Sequence, residues 1–331
     1  MSSKKRNSTS IINRICFVLA VLSALGILLS FLGFRKSVQD VQFDQFKAAL
    51  RETAQHNMVD ANNLINTMVH QLNVTGMKIN EHDDFRDPEI KEILELSQQT
   101  SMFDFISLTE PDGNGFDNAG NTFNISEREY FQTAMKGQVA FSEVMDSQVI
   151  PGDRVQIIAH PIRNPDNTVR GLVCGVLNIG DMTSIGSLFV HEHDDSIHIV
   201  DSCGAYIVHL HENHFDISSD NFWSDLEHSN LSEAEISQIR ENFESRNEGE
   251  FTFTQDGEQR YACHMPIGPN KWQLVYSVSS ASMDQVVHSL YRLDIKNAVI
   301  AGICHLTLTL CIIWYFKQAN MKVRTAHQAT K

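Results

Sequence analysis

Residues 155–162 read VQIIAHPI, and residues 261–267 read YACHMPI. Both are apolar, β-prone runs that reach a proline, and both are followed by a turn and another apolar run about a hundred residues apart. Proline lacks the amide hydrogen that a ladder needs, so each is predicted to end its strand. Two copies of one strand–turn–strand unit imply two similar modules.

Short strand-like runs surround both copies, at 103–108, 172–177, 197–200, 206–208, 251–253 and 274–278, with Pro111, Asp112 and Gly113 as a turn. Strands this short and closely spaced suit antiparallel sheets. Between them, residues 231–244 carry a helical pattern opened by Ser232, with Glu235 three residues on as a capping partner. The HEHDD run at 191–195 interrupts the apolar pattern and marks the boundary between modules.

Ahead of the modules, Val38, Val41, Phe46, Ala49, Thr53, Val59, Leu64, Met68 and Leu72 recur at mostly three- and four-residue steps. This predicts one long amphipathic helix over residues 37–80, ended by the acidic 81–87 segment and Pro88, with a short helix over 89–96. Two uncharged runs flank everything: 15–34, and 298–316 with only His305 ionisable. Each is long enough to cross a hydrocarbon core, and Trp314 and Tyr315 suit its interface. No small-x-small cleavage site follows the first run, which favours a retained span over a signal peptide. His305 reads as a histidine packed against a neighbouring helix rather than a proton relay.

Lys4, Lys5, Arg6 and Arg14 precede the first run and Lys317, Lys322, Arg324 and Lys331 follow the second, so both termini (1–14 and 317–331) are expected in the cytoplasm and residues 35–295 outside. The stretch between the two apolar runs, 35–297, holds all 41 acidic residues against 18 basic ones, an excess of 23 negative charges. It repels nucleic acid, which is excluded as a partner. Three cysteines lie outside the runs, Cys174, Cys203 and Cys263, an odd number that builds no disulfide framework. A Cys203–Cys263 pair stays open beside the commoner alternative of free buried thiols.

The order of these features resembles the double Cache extracytoplasmic sensors of bacterial transmembrane receptors over about residues 37–285. In the first module SEREYFQTAMKG, AHPI and RGLVCGVLNI are similar to the family's helix, strand end and final strand; in the second, IHIVDSCGAYIVH and GEFTFTQDGEQRYACHMPIGPNKWQLVYSVS match its opening and closing strands. The resemblance implies an α+β fold: a long N-terminal helix and two PAS-like antiparallel-sheet modules, membrane-distal (81–190) and membrane-proximal (191–285), between transmembrane helices at 15–34 and 296–316.

The candidate site centres on NISEREYFQTAMKG, residues 124–137. Ser126 with Glu129 reads as a helix cap, and Arg128 beside a helix N-terminus is an unfavourable place for a purely structural cation. A carboxylate ligand resolves this, because a guanidinium offers two parallel donors. Tyr130 and Phe131 can wall a pocket. The resemblance implies the same roles for Phe123, Arg128, Tyr130 and Phe131, and places Asp146 near the family's ammonium-holding aspartate. Val144 or Met145 stands where a tyrosine is expected, and Val176 or Asn178 where a last aspartate is expected.

Histidines at 191, 193, 198, 209, 211 and 214 lack recognisable metal spacing, so no metal is expected, although a pH-sensing role stays open. No nucleophile elbow or phosphate loop appears, so neither catalysis nor a cofactor is expected. The expectation is therefore a transmembrane sensor that binds a small, carboxylate-bearing ligand, homodimerises along its long helix and signals across the bilayer, to a separate cytoplasmic partner where the 15 residues after Phe316 carry no output of their own. The alternative is a membrane-anchored accessory subunit without signalling output.

Overall fold

In a computed structural model, the residues described are 2–147, 152–182, 189, 195–211, 221–255, 257–268, 271–281, 296, 298–315, 317–318 and 321. The chain divides into two units, Met1–Lys47 with Ala281–Lys331, and Ala48–Ser280.

The expected long helix is found inside α1 (Ser2–Ile79), which also takes in the first apolar run. Nothing at residues 35–37 breaks a helix, since Arg35, Lys36 and Ser37 are all compatible with it. Within the second unit, Leu50, Ala54, Ala61, Ile65, Met68, Leu72 and Ile79 form its buried stripe. After Ile79, Asp87 caps α2 (Pro88–Gln99) by accepting from Glu89 N–H at 3.0 Å, with Pro88 at the first helical position, where its missing amide costs nothing.

The first sheet is built from β1 (Phe105–Thr109), β2 (Asn114–Asp117), β3 (Thr122–Asn124), β4 (Ala140–Phe141), β5 (Met145–Asp146), β6 (Arg154–Arg163) and β7 (Val169–Asn178), with α3 (Glu129–Met135) between β3 and β4 and α4 (Ile179–Met182) after β7. Its order is β3-β2-β1-β7-β6-β4, with β5 also on β6. The second comprises β8 (Ser196–Val200), β9 (Tyr206–His211), β10 (Gly249–Gln255), β11 (Glu258–Ile267) and β12 (Trp272–Ser279), in the order β10-β11-β12-β8-β9, with α5 (Phe222–Glu227) and α6 (Glu233–Glu244) between β9 and β10. Every pairing is antiparallel. The Ser232–Glu235 capping box at α6 is formed in both directions. Residues 190–194 of the expected boundary lie outside the described residues.

The prolines correct one expectation. Pro161 and Pro266 do not end their strands: they pair with Leu172 and Gln273 inside β6 and β11. Ser142 N–H donates to Ile157 O, so Ile157, and with it Pro161 four residues on, turns its backbone toward the β4 side. There the ladder stops at Ala159. Likewise Pro266 lies past His264, the last β11 residue paired to β10. Each proline therefore sits where its strand has become an edge, and no donor is lost.

The α1 stripe serves both sheets. Near its start, Leu50 O accepts from Cys263 Sγ at 3.9 Å and Asn62 Oδ1 accepts from Gly268 N–H at 2.8 Å; near its end, Gly76 lies against Ile162 and Val173 of the first sheet. Cys203 and Cys263 are free thiols, so the pairing left open by the sequence is not formed. His198 and His209 face each other across β8 and β9, stacked at 4.3 Å. The histidines at 191, 193 and 214 lie outside the described residues.

In the first unit, among the described residues one helix, Ala298–Tyr315, is long and apolar enough to cross a bilayer; Val21–Gly33 is a shorter apolar stretch of α1. Ser23 Oγ and His305 Nε2 are 3.1 Å apart, which gives that histidine the packed-helix partner expected of it.

Two consequences are testable. A Cβ on Gly175 would stand 2.4 Å from the Phe103 ring. Gly175→Ala is expected to destabilise the second unit by about 1–3 kcal/mol, read as a lowered denaturant midpoint of the full chain in micelles. Burial against Phe243 and Phe251 depresses His264 from the ordinary 6.5 to about 4, the Gln273 hydrogen bond opposing part of the shift. The unfolded chain takes up that proton first, so stability is full above pH 6.5 and falls as the pH drops toward 4. The wild type should lose up to roughly 3 kcal/mol more than His264→Gln over that window in equilibrium denaturation.

Candidate functional site

On the first sheet, α3 and the β2–β3 hairpin enclose a cavity of about 430 Å³. Four of the five residues predicted from the sequence line it: Phe123, Arg128, Tyr130 and Asp146. Phe123 reaches it from β3 because β2 gives way: its ring would meet a Cβ on Gly115, its ladder partner, at 2.7 Å. Asp146 stands at the exposed rim on β5, opposite Arg154 of β6.

Arg128 is held at the rim differently than expected. Ser126 does not cap the helix; its hydroxyl donates to Asn124 Oδ1 at 2.7 Å, within a turn that Arg128 N–H closes on Ile125 O at 3.0 Å. Arg128 is itself the N-cap residue, extended at φ −77°, ψ 134°, and its side chain makes no capping bond. Among the described residues no hydrogen bond or ion pair engages its exposed guanidinium.

Tyr130, 5% exposed, lines the cavity, and burial holds its hydroxyl well above the ordinary tyrosine range. It is a neutral donor at any physiological pH. Phe131 does not line the cavity. One helical step turns it by about 100°, into the core with Ala134, Ala159 and Leu172.

Of the remaining wall, Met145 and Val176 occupy the places considered for a tyrosine and an aspartate, while Asn178 donates to Asp153 Oδ2 at 2.6 Å. Val155, Ile157 and Phe105 add apolar surface. Cys174 lies at the floor, its thiol pushed up to about 12 by burial and therefore inert. The sequence reading missed Asp117, a buried carboxylate in the same wall. Its oxygens accept from Asn121 N–H and Asn121 Nδ2, both at 2.8 Å. The spacing in DNAGN reads as an ordinary turn, and nothing in it announces that the turn faces a cavity.

A second cavity, of about 480 Å³, shares Arg128, Tyr130 and Met145 with the first and is completed by Asp201, which follows β8, and by Lys271 and Trp272 at the start of β12. Elsewhere, His82, Asp87 and Glu89 bring ligand-type atoms together after α1. His82 Nδ1 lies 2.9 Å from Asp87 and Nε2 lies 3.9 Å from Glu89. The two ring nitrogens thus point to different carboxylates.

A family model described as a Cache domain, of the double type, matches residues 40–287, three quarters of the chain. The chain belongs to the Cache-domain family. Among solved structures, it is similar to the ligand-binding domain of the amino acid chemoreceptor PctB of Pseudomonas aeruginosa PAO1 in complex with L-Arg, at 16% identity and TM-score 0.55 over 72% of this chain and 97% of that one. The sensory domain of the Campylobacter jejuni chemoreceptor Tlp3 with isoleucine bound is similar at 10% identity and TM-score 0.52, over 73% and 97%. These likenesses establish the fold. A search of curated proteins finds no match.

Because both Asp117 oxygens hold the β2–β3 turn, Asp117→Ala should cost about 1–3 kcal/mol, measured as a shift of the chemical denaturation midpoint.

Proposed function

We propose that the chain is a membrane sensor whose first, membrane-distal module binds a small carboxylate-bearing ligand in the cavity under Arg128. The observation that carries this reading is an exposed guanidinium at the mouth of a cavity walled by Phe105, Ile157 and Val176. Such a guanidinium can take a carboxylate with two parallel hydrogen bonds, while the Tyr130 hydroxyl supplies another donor and the apolar wall takes the rest of the molecule. L-Arg and isoleucine, bound in the two similar chemoreceptor domains, are both carboxylates, which supports the reading.

Residues 35–295 are outside the cytoplasm on this reading, with 15–34 and 296–316 as spans and both termini inside, in keeping with the basic residues that flank both apolar runs. A homodimer through the long helix, with a separate cytoplasmic partner, completes the proposal. Occupancy can shift the spans only through unequal affinity for two conformations.

The test uses the full chain in lipid nanodiscs, with melting followed in the presence of L-arginine, L-isoleucine, acetate and pyruvate. A ligand selective for the folded state raises the melting temperature. Arg128→Ala is expected to weaken any such response about tenfold or more, while moving unliganded stability by no more than about 0.5 kcal/mol. Unchanged affinity in that variant would overturn the site.

A further inference from the structure

Between β4 and β5 the chain touches the second sheet's module three times in succession. The Phe141 ring meets Trp272 edge-on at 5.2 Å, Glu143 Oε1 accepts from Cys203 Sγ at 3.2 Å, and Val144 N–H donates to Asp201 Oδ2 at 3.4 Å. The next three residues, Met145, Asp146 and Ser147, are wall of the candidate ligand cavity. Asp201 is 2% exposed, and its other oxygen accepts from Cys203 and Ala205 N–H at 2.9 and 2.8 Å. Its carboxylate is thus fixed by its own turn before it reaches across.

We propose that Asp201 is a positioning residue for the cavity: from the second module it holds Val144, and through Val144 the wall formed by Met145 and Asp146. The inference rests on the reading of that cavity as the ligand site. It gives the second module a direct hold on the first module's affinity, and by reciprocity a way to feel its occupancy.

The link is also sensitive to protons. Among the described residues, the groups around Asp201 are Glu143 and Cys203, with Arg128, Glu129 and Lys271 lining the same cavity. Burial raises the Asp201 carboxyl above the ordinary range, backbone N–H groups offset part of this, and Glu143 adds to the rise. The Cys203 thiol is pushed up to about 11 and stays neutral. Once protonated, Asp201 is a weaker acceptor, and the Val144 N–H loosens.

Amide exchange of the full chain in nanodiscs, without added ligand, tests the link. In the wild type, protection of residues 142–147, corrected for intrinsic rates, should fall roughly tenfold from about pH 7 to about pH 4.5. Residues 155–162 and 170–177 serve as the unaffected control. Asp201→Asn keeps an acceptor but cannot titrate, so its protection should stay near the wild-type neutral value at both pH values. Asp201→Ala should lose protection at both, with exchange at 203–205 reporting its own turn. An Asn variant that follows the wild-type pH curve, or an Ala variant that keeps its protection, overturns the proposal. Failure of every carboxylate in the melting test overturns the ligand reading alone, because the exchange measurement uses no ligand.

Discussion

Burial of a single helical stripe is the constraint on which the second unit depends. Leu50, Ala54, Ala61, Ile65, Met68, Leu72 and Ile79 are all nearly inaccessible, and the helix that carries them meets Cys263 of one sheet at Leu50 and Ile162 and Val173 of the other at Gly76. At roughly 1.5–3 kcal/mol for each large apolar side chain buried, this one seam outweighs any individual polar contact in the chain. Each sheet alone would leave an apolar face open. Ala54, Ala61 and Gly76 keep the helix close, and Gly76 meets Ile162 and Val173 where a larger side chain would lift it away.

On that support α3 sets two neighbouring aromatics in one buried cluster, of which only Tyr130 also lines the cavity, because a helix turns about 100° per residue. Arg128, one residue outside the helix, inherits an extended backbone that sends it to the rim. The stretch between the apolar runs carries a large excess of acid, so an anion would be repelled on balance and would be favoured locally by an exposed cation such as Arg128.

Much of this was legible in the sequence, for reasons that differ by element. The strands β6, β7, β11 and β12 are apolar on both faces and bounded by turns, and the Ser232–Glu235 box is a purely local signal, so all were found. β4 and β5 have two residues each and exist only because β6 offers them a ladder, which no local pattern reveals. Ser126 and Glu129 have capping-box spacing, yet Asn124 takes the serine hydroxyl and the helix starts later. Arg128 and Tyr130 stood out through their neighbours in sequence, Phe123 and Asp146 through the family resemblance, and all four line the cavity. Asp117 did not stand out, because its meeting with the others is made by the β1–β2 and β2–β3 pairings.

The placement of Pro161 and Pro266 also bears on how such chains can live side by side. Wherever a sheet edge is left uncovered, its free donors and acceptors invite a strand from another molecule. Past Ala159 and past His264 the stretches of β6 and β11 that have lost their ladder partner each carry a proline, which offers no amide donor on that side. Copies of such a domain at high local density would meet at such edges repeatedly. Here the same residue that marks the repeat in the sequence leaves an incoming strand without the donor it would need, and keeps neighbours from joining sheet to sheet.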